Sequence, residues 1–122
     1  MNAQQLRDRA ASFASDVVIF CRQLRTKPEA WNIANQLSGS ATATSANYRS
    51  VCRARSKREF ISKLSVAVEE ADETVGWLEL VVRAGVWPEP EVDPLLTEAR
   101  ELAAILTASR RTAEKNDPSR RR

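Results

Sequence analysis

The chain has 122 residues, of which 43% are hydrophobic and 29% are charged, and its formal net charge is +3. This composition is typical of one small helical domain, and its 3 glycines leave little room for a second. It contains no histidine, which removes the commonest general base, the commonest zinc ligand and every Ser-His or Cys-His catalytic pair. We therefore expect a protein that is not an enzyme and that binds no cofactor or metal ion.

No segment of the sequence predicts a membrane span or a signal peptide. Apolar runs stay well below the roughly 18 residues that a transmembrane helix needs. The N-terminus, Met1-Asn2-Ala3-Gln4-Gln5, lacks the basic start and apolar stretch of a signal peptide. We expect a cytoplasmic protein that does not contact a membrane.

The first predicted helix runs from about Ala3 to Thr26 and ends at Lys27-Pro28. Its apolar residues recur at intervals of three and four, as one face of an α-helix requires. They are Leu6, Ala10, Phe13, Val17, Phe20 and Leu24.

Pro28 opens the second predicted helix, since proline fits a helix's first turn. Its inward face is predicted to be Trp31, Ala34, Leu37, Ala41, Ser45, Tyr48 and Cys52. Residues 38–46 contain only Ser, Gly, Ala and Thr and can be a flexible linker, but the flanking periodicity favours a helix in close contact with its neighbours. Asn47, beside this small-residue face, is predicted to be a buried hydrogen-bonding residue.

The third predicted helix runs from Ser56 to about Ala84. Ser56 and Glu59 form a capping box at its start, and Gly85 is the residue expected to end it. Its inward face is predicted to be Phe60, Leu64, Ala67, Ala71, Val75, Leu78 and Val82. A second row lies beside that face and consists of Val66, Glu70, Glu73, Trp77 and Leu80. Apolar residues on two faces predict neighbours on two faces, and hence association with other copies of the chain.

Asp93-Pro94 supplies an N-cap and a first-turn proline for the fourth predicted helix, which runs to about Lys115. Its stripe is predicted to be Leu95, Ala99, Leu102, Ile105 or Leu106, and Ser109. Four long helices with short connections favour an all-α, up-down-up-down antiparallel bundle over residues 1–115. Residues 116–122 are predicted to be a disordered basic tail.

This topology would gather positive charge at one end of the bundle, which we call the basic pole. Its predicted members are Arg7, Arg9, Arg49, Arg53, Arg55, Lys57, Arg58, Arg110, Arg111, Lys115 and the terminal Arg120, Arg121 and Arg122. The nucleic-acid-binding subset is predicted to be Arg49, Arg53, Arg55, Lys57, Arg58, Arg110 and Arg111, whose charges could neutralise phosphates. The alternative is a solvated basic turn. Tyr48 is the single aromatic residue among them, so contact with the nucleic-acid backbone is favoured over base stacking.

Carboxylates and sulfur atoms could suggest a metal site, but the missing histidine argues against a di-iron bundle. Glu70 or Glu73 is instead predicted to form an ion pair with Arg49 or Arg53, across the bundle or across a subunit boundary.

Cys21 and Cys52 lie inside helical patterns and are predicted to be buried free thiols. Tryptophans at helical spacing are predicted core or interface anchors. Trp77 is one of these, and Trp87, in a connection, is predicted to be exposed.

The centre of the sequence resembles a known family, the small bacterial four-helix bundle proteins named after an open reading frame in intervening sequences of 23S ribosomal RNA genes. The resemblance lies in Ser45-Ala46-Asn47-Tyr48-Arg49, in the Arg-Ser-Lys-x-Glu-Phe pattern from Arg55 to Phe60, and in Glu69-Glu70-Ala71-Asp72-Glu73 leading to Trp77-Leu78-Glu79-Leu80. Looser similarity covers roughly residues 5 to 110. Many relatives have Ile-Ala-Glu-Gly after the asparagine, whereas Tyr48-Arg49-Ser50-Val51 stands here, as in a divergent branch.

The family is similar to the accessory variability proteins of diversity-generating retroelements. This resemblance implies a barrel-shaped homopentamer that engages nucleic acid and a reverse transcriptase through basic surfaces, and it implies no catalytic residues. In such a ring the basic poles of all copies would share one rim.

Two hypotheses about function follow from these patterns. The first is a ring-like homo-oligomer that acts as an accessory or scaffold protein and contacts RNA or DNA through the basic pole. The second is a protein–protein interaction platform without nucleic-acid binding, in which the charges serve solubility or a protein partner.

Overall fold

The computed structural model describes residues 1–120, which form four long α-helices. They are α1 (Ala3–Leu24), α2 (Trp31–Val51), α3 (Lys57–Arg83) and α4 (Glu89–Lys115). Short 3₁₀ turns lie at Pro28–Ala30 and Pro118–Arg120. The prediction of an all-α chain with four helices is confirmed. Arg121 and Arg122, which belong to the predicted disordered tail, lie outside the described residues.

Consecutive helices pack against one another, and their short connections make each antiparallel to the one before. The α2–α3 contact is the most extensive, whereas α1 and α4 touch sparingly. All six residues of the predicted α1 stripe are buried. Fully buried leucines from every helix fill the centre, each contributing roughly 2 kcal/mol. None of the helices in residues 1–120 combines the length and apolar character that crossing a bilayer requires.

Both ends of α3 follow the sequence signals. Ser56 Oγ accepts a hydrogen bond of 3.0 Å from the Glu59 backbone N–H, which satisfies one of the free amides of the first turn. The predicted capping box is only half formed in the described chain, because the Glu59 carboxylate pairs with Arg55 and Lys63 and not with the Ser56 N–H. Gly85 has φ of +65°, in the left-handed region that only glycine enters without strain. The helix therefore begins and ends where it was predicted to.

The start of α4 differs from the prediction. The helix begins at Glu89, and Pro94 lies inside it rather than at its first turn. The extra turn is stabilised because it carries Val92 into the core, where the side chain is completely buried. Asp93-Pro94 looks like a helix start, but apolar burial decides the boundary.

The inward face of α2 also differs from the prediction, at both ends of the predicted face and in its middle. Trp31 is 57% exposed and Cys52 is exposed, while Ser45 is half-buried. Ser40, Thr44 and Val51 take inward positions instead. Residues 38–46 are helical, as predicted, and Thr74 Oγ1 of α3 lies 2.9 Å from Ser40 Oγ in the core.

Trp87, in the α3–α4 connection, is more buried than predicted, and Trp31, at the start of α2, is more exposed than predicted. Trp87, predicted to be exposed, packs edge-on against Phe20 with ring centroids 6.2 Å apart, and Lys27 Nζ lies 5.1 Å from its ring centre. Lys27 Nζ also donates a 2.8 Å hydrogen bond to the Val86 carbonyl. These contacts tie the α1–α2 connection to the α3–α4 connection. The ring of Trp31 points outward, and its indole N–H donates to the Arg25 carbonyl at 2.8 Å.

One cluster of ion pairs joins α1 to α4 in the described part of the chain. The Arg9 guanidinium donates to both carboxylate oxygens of Glu98, at 2.7 and 2.6 Å, and to Glu101 at 2.6 Å. These hydrogen bonds lower the pKa of Glu98 and raise that of Arg9. Since α1 and α4 make few other contacts, this cluster holds these two helices together.

Replacing Arg9 with methionine should lower the free energy of unfolding by about 1 kcal/mol near neutral pH, because the bidentate contact is lost while the aliphatic packing is kept. The folded pKa of Glu98 is lowered. The ionised Glu98 carboxylate therefore stabilises the fold fully at pH values above its unfolded-state pKa of about 4.3. This stabilisation is lost as the pH falls through the folded-state pKa. Urea unfolding followed by circular dichroism at several pH values measures both effects.

A matched control for this test is Arg100→Met, which removes the pair of Arg100 with Glu79 at 3.0 Å. Both of those side chains are more than half exposed, so the expected cost is a few tenths of a kcal/mol. Equal stability of the Arg9 variant and the wild type at every pH would contradict the role of Arg9.

The two thiols should differ in reactivity, which corrects the prediction that both are buried. Cys21 is fully buried, and burial raises its pKa to about 11. Cys52 is exposed because Tyr48 and Val51 take the inward positions of the last turn of α2.

We expect an aromatic disulfide reagent to modify Cys52 rapidly in the native protein and Cys21 only in denaturant. Cys52→Ser should abolish the rapid phase, and two equal rates would contradict the assignment.

Candidate nucleic-acid interface

The basic pole forms where the start of α1, the end of α2, the start of α3 and the end of α4 meet. The Arg7 charge acts on the Tyr48 hydroxyl, whose pKa burial nevertheless raises to about 12. Lys57 lines a cleft together with Asn116 at the end of α4. Residues from all four helix ends are therefore neighbours, as the antiparallel topology predicts.

The cations of the pole differ in whether they have acidic partners. Six of them are exposed and form no ion pair with any described residue: Arg49, Arg53, Lys57, Arg58, Arg111 and Lys115. Arg55 lies 3.8 Å from Glu59 with its side chain 89% exposed, and Arg110 lies 3.6 Å from Glu114. Pairs of this length are weak, although the Arg110 and Glu114 side chains are only 30% and 33% exposed.

Arg9 was predicted to belong to the pole, and the structure corrects this. Its guanidinium reaches along α4 to Glu98 and Glu101 rather than staying at the helix ends. Its charge is therefore neutralised within the chain and is not available to a ligand.

The turn between α2 and α3 holds its cations on a fixed backbone. The Arg53 amide donates to the Ser50 carbonyl at 3.0 Å, and the Ala54 amide donates to the Val51 carbonyl at 3.1 Å. The side chains of the turn are thus left free to meet a ligand. Lys57 and Arg58 occupy the first turn of α3, where the helix dipole already places positive charge. That arrangement costs stability in the free chain, and a bound anion would relieve it.

Three open clefts of the described chain border these cations. A cleft of about 360 Å³ lies between α1 and α2 and is lined by Ala11, Ala14, Thr42, Ser45, Ala46, Arg49, Ser50 and Arg53. A second, of about 820 Å³, is lined by Ser56, Lys57, Arg58, Ile61, Ser62, Ser65, Asp117 and Ser119. Hydroxyl groups beside arginine and lysine can contact phosphate oxygens. A third cleft, of about 530 Å³, is lined by Lys57, Phe60, Ile105, Ala108, Ser109, Thr112, Ala113 and Asn116. Among the described residues, half-buried Phe60 is the one aromatic residue that lines these three clefts, so the surface offers mainly contacts to a phosphate backbone and little base stacking.

Three of the four residues predicted to be structural lie along α3 away from this pole, whereas Asn47 lies beside it, two residues before Arg49. Asn47 is half-buried, and its amide donates to the Ala43 carbonyl at 2.8 Å, so its partner belongs to its own helix. Trp77 is half-buried at the edge of the core. Glu70 and Glu73 lie outside the core, where burial and the charges of Glu73 and Glu69 raise the pKa of Glu70.

The predicted pairing of Glu70 or Glu73 with Arg49 or Arg53 is absent within the described chain. Helical rise explains why, since Glu70 lies roughly 20 Å along α3 from the basic pole. Pairing across a subunit boundary stays a prediction. Among residues 1–120 no three Cys, Asp or Glu side chains approach closely enough to hold a metal ion.

Sequence periodicity missed one exposed constellation, formed by Trp31, Arg25 and Asn35 at the other end of the bundle. The Arg25 Nη2 donates to Asn35 Oδ1 at 3.1 Å, and the three residues line a cleft of about 320 Å³. The 3₁₀ turn at Pro28–Ala30 rotates Trp31 away from the core. The proline at position 28 signals a helix start but not this rotation.

Comparison with known proteins gives a family and a fold. The profile of the family described as 23S rRNA-intervening sequence protein matches residues 3–108. No curated protein matches the chain in sequence. A similar crystal structure is that of a protein with unknown function from the S23 ribosomal protein family of Bacteroides thetaiotaomicron, with 27% identity and a TM-score of 0.84, covering 91% of this chain and 99% of that chain. Because the profile reaches into all four helices, the chain belongs to the 23S rRNA-intervening sequence protein family.

Proposed function

We propose that the chain is a non-enzymatic homo-oligomeric accessory or scaffold protein that contacts the backbone of RNA or DNA through its basic pole. The observation that carries this proposal is the group of six exposed cations without an acidic partner in residues 1–120, all at one end of the bundle. Polyanion binding would release counterions from phosphates and relieve the repulsion between these side chains.

The second row on α3 supports the oligomeric part of the proposal. Val66 and Leu80 are 41% and 38% exposed, although both are large and apolar. Contact with other copies would remove this surface from water. A ring, for which a homopentamer is our expectation, would place several basic poles on one rim and multiply the local positive field.

The family and its resemblance to retroelement accessory proteins add partners to the proposal. The family is named for intervening sequences of 23S rRNA, so RNA is a natural first ligand to test. A reverse transcriptase is the protein partner that the resemblance suggests.

An interaction platform that binds a protein and no nucleic acid is the second candidate. Aromatic rings are scarce in the clefts of the described pole, where Phe60 is the one that lines them, and this scarcity together with the small net charge of +3 favours it. A stoichiometric protein partner retained after nuclease treatment of a pull-down would support this candidate. Recovery of nucleic acid without protein would count against it.

Replacing Arg53 and Arg58 together with alanine should weaken binding to RNA or DNA at least about tenfold at low salt, since each lost phosphate contact reduces affinity. The slope of log K against log salt should flatten by about 0.9 per contact on duplex DNA, or about 0.7 on a single strand. Gel shifts across a salt series measure both quantities.

The control removes two positive charges from the opposite end, Arg83→Ala with Arg100→Ala. Net charge falls equally in the two variants, so unspecific attraction would weaken both alike. Equal loss, or no binding by the wild type even at low salt, would overturn the assignment of the basic pole.

A further inference from the structure

Two exposed surfaces of the bundle carry complementary features. The first, which we call the α3 flank, is the row of Val66, Glu70, Glu73, Trp77 and Leu80. The second, which we call the shoulder, lies where α1 meets α2 and consists of Arg22, Arg25, Trp31, Asn35 and Ser38. Apart from Met1 and Ile19, the exposed large apolar residues of the described chain all lie on these two surfaces.

The shoulder is held rigid by hydrogen bonds within the chain. The Trp31 indole N–H is fixed to the Arg25 carbonyl at 2.8 Å. The Arg25 guanidinium is held by Asn35 Oδ1 at 3.1 Å and by Ser38 Oγ at 3.4 Å. A partner would therefore meet an ordered tryptophan and an ordered cation, which lowers the entropy lost on binding. Neither Arg22 nor Arg25 forms an ion pair with a described residue.

The α3 flank has the opposite charge. Glu70 and Glu73 form no ion pair in residues 1–120, and they stand between the apolar side chains of Val66 and Leu80. Two flanks could not face one another without bringing these carboxylates together, which disfavours a symmetric α3–α3 dimer. The shoulder instead offers arginine to the carboxylates and an exposed indole ring to the apolar side chains.

The two surfaces also lie at similar heights along the bundle. With a rise of about 1.5 Å per residue, Glu70 to Leu80 lie roughly 20 to 35 Å from the basic pole. The same rise puts Ser38, Trp31, Arg22 and Arg25 within roughly that interval on α1 and α2. Copies can therefore meet side by side with their basic poles level. Arg49 and Arg53, at the pole itself, stay free for another ligand.

Both surfaces border α2 rather than lying on opposite sides of the bundle. The shoulder joins α2 to α1, while Thr74, between Glu70 and Trp77 in sequence, contacts Ser40 and so marks the side of α3 next to α2. A head-to-tail contact closes into a ring when its rotation adds up to a full turn over the copies, and otherwise it forms an open filament. In that ring α2 faces the centre, and residues 31–48 of α2 include no charged residue.

We infer that the α3 flank of one copy docks onto the shoulder of a second copy, with Glu70 and Glu73 meeting Arg22 and Arg25 beside a Trp31–Leu80 apolar contact. This inference rests on the homo-oligomer part of the proposed function. It assigns Arg22 and Arg25 to the interface and leaves the basic pole to nucleic acid.

The test compares Trp31→Glu on the shoulder, Leu80→Glu on the α3 flank and the control Ile19→Glu. Ile19 is 50% exposed but lies on neither surface. Sedimentation velocity over a dilution series should show that the first two variants need at least about tenfold more protein to assemble, while the control matches the wild type. Far-UV circular dichroism confirms that each variant is folded.

A mixture of the Trp31→Glu and Leu80→Glu chains gives the sharpest result. Each chain keeps one intact surface, so the mixture should form a one-to-one dimer and nothing larger. Assemblies of wild-type size in the mixture, or no dimer at high concentration, would overturn the inference.

A charge exchange tests the polar part of the contact. Arg25→Glu and Glu73→Arg should each weaken assembly, and both changes in one chain should restore part of it. An additive loss in the double variant would count against the pairing. A wild-type chain that stays a single subunit at every concentration would overturn the oligomer in the proposed function as well. Assembly unaffected by these variants would overturn only this interface.

Discussion

The close packing of α2 against α3 is the contact on which the rest of the structure depends. Residues 38–46 of α2 are small, so the two helices can approach closely, and Ser40 meets Thr74 in the core at 2.9 Å. This contact fixes the rotation of α2 and of α3 about their own axes, on the two sides of the basic turn. The row from Val66 to Leu80 is left outside the core of the bundle, and the cations between α2 and α3 are left at its end.

Topology arranges the charges of the chain in a way that its small net charge conceals. Where α1 passes α4, Arg9 is matched by two carboxylates, and the ion pairs close a side of the bundle that has few other contacts. At the basic pole, exposed cations repel one another and two of them oppose the dipole of α3. Ion pairs thus stabilise the side of the molecule where α1 passes α4, while the exposed cations at the basic pole are left without acidic partners in the described chain.

Local signals predicted those features that local chemistry controls. The cap at Ser56, the left-handed Gly85 and the apolar stripe of α1 each involve neighbours within one or two helical turns. Predictions that needed the position of another helix were wrong in places. Trp87 is covered because Phe20 and Lys27 come to it from a distant connection, and α4 begins early because Val92 finds space in the core.

The sequence by itself determined four amphipathic helices, their order and the basic turn, because periodicity, capping and proline placement act over a few residues. Tertiary structure alone decided which cations lack partners, since Arg9 finds its carboxylates on a helix that is remote in sequence. It also decided that Trp31 faces outward beside Arg25, because one 3₁₀ turn changes the rotation of α2. Surfaces for partners depend on contacts between residues that are distant in sequence. The periodicity of the sequence therefore does not predict these surfaces before the fold is known.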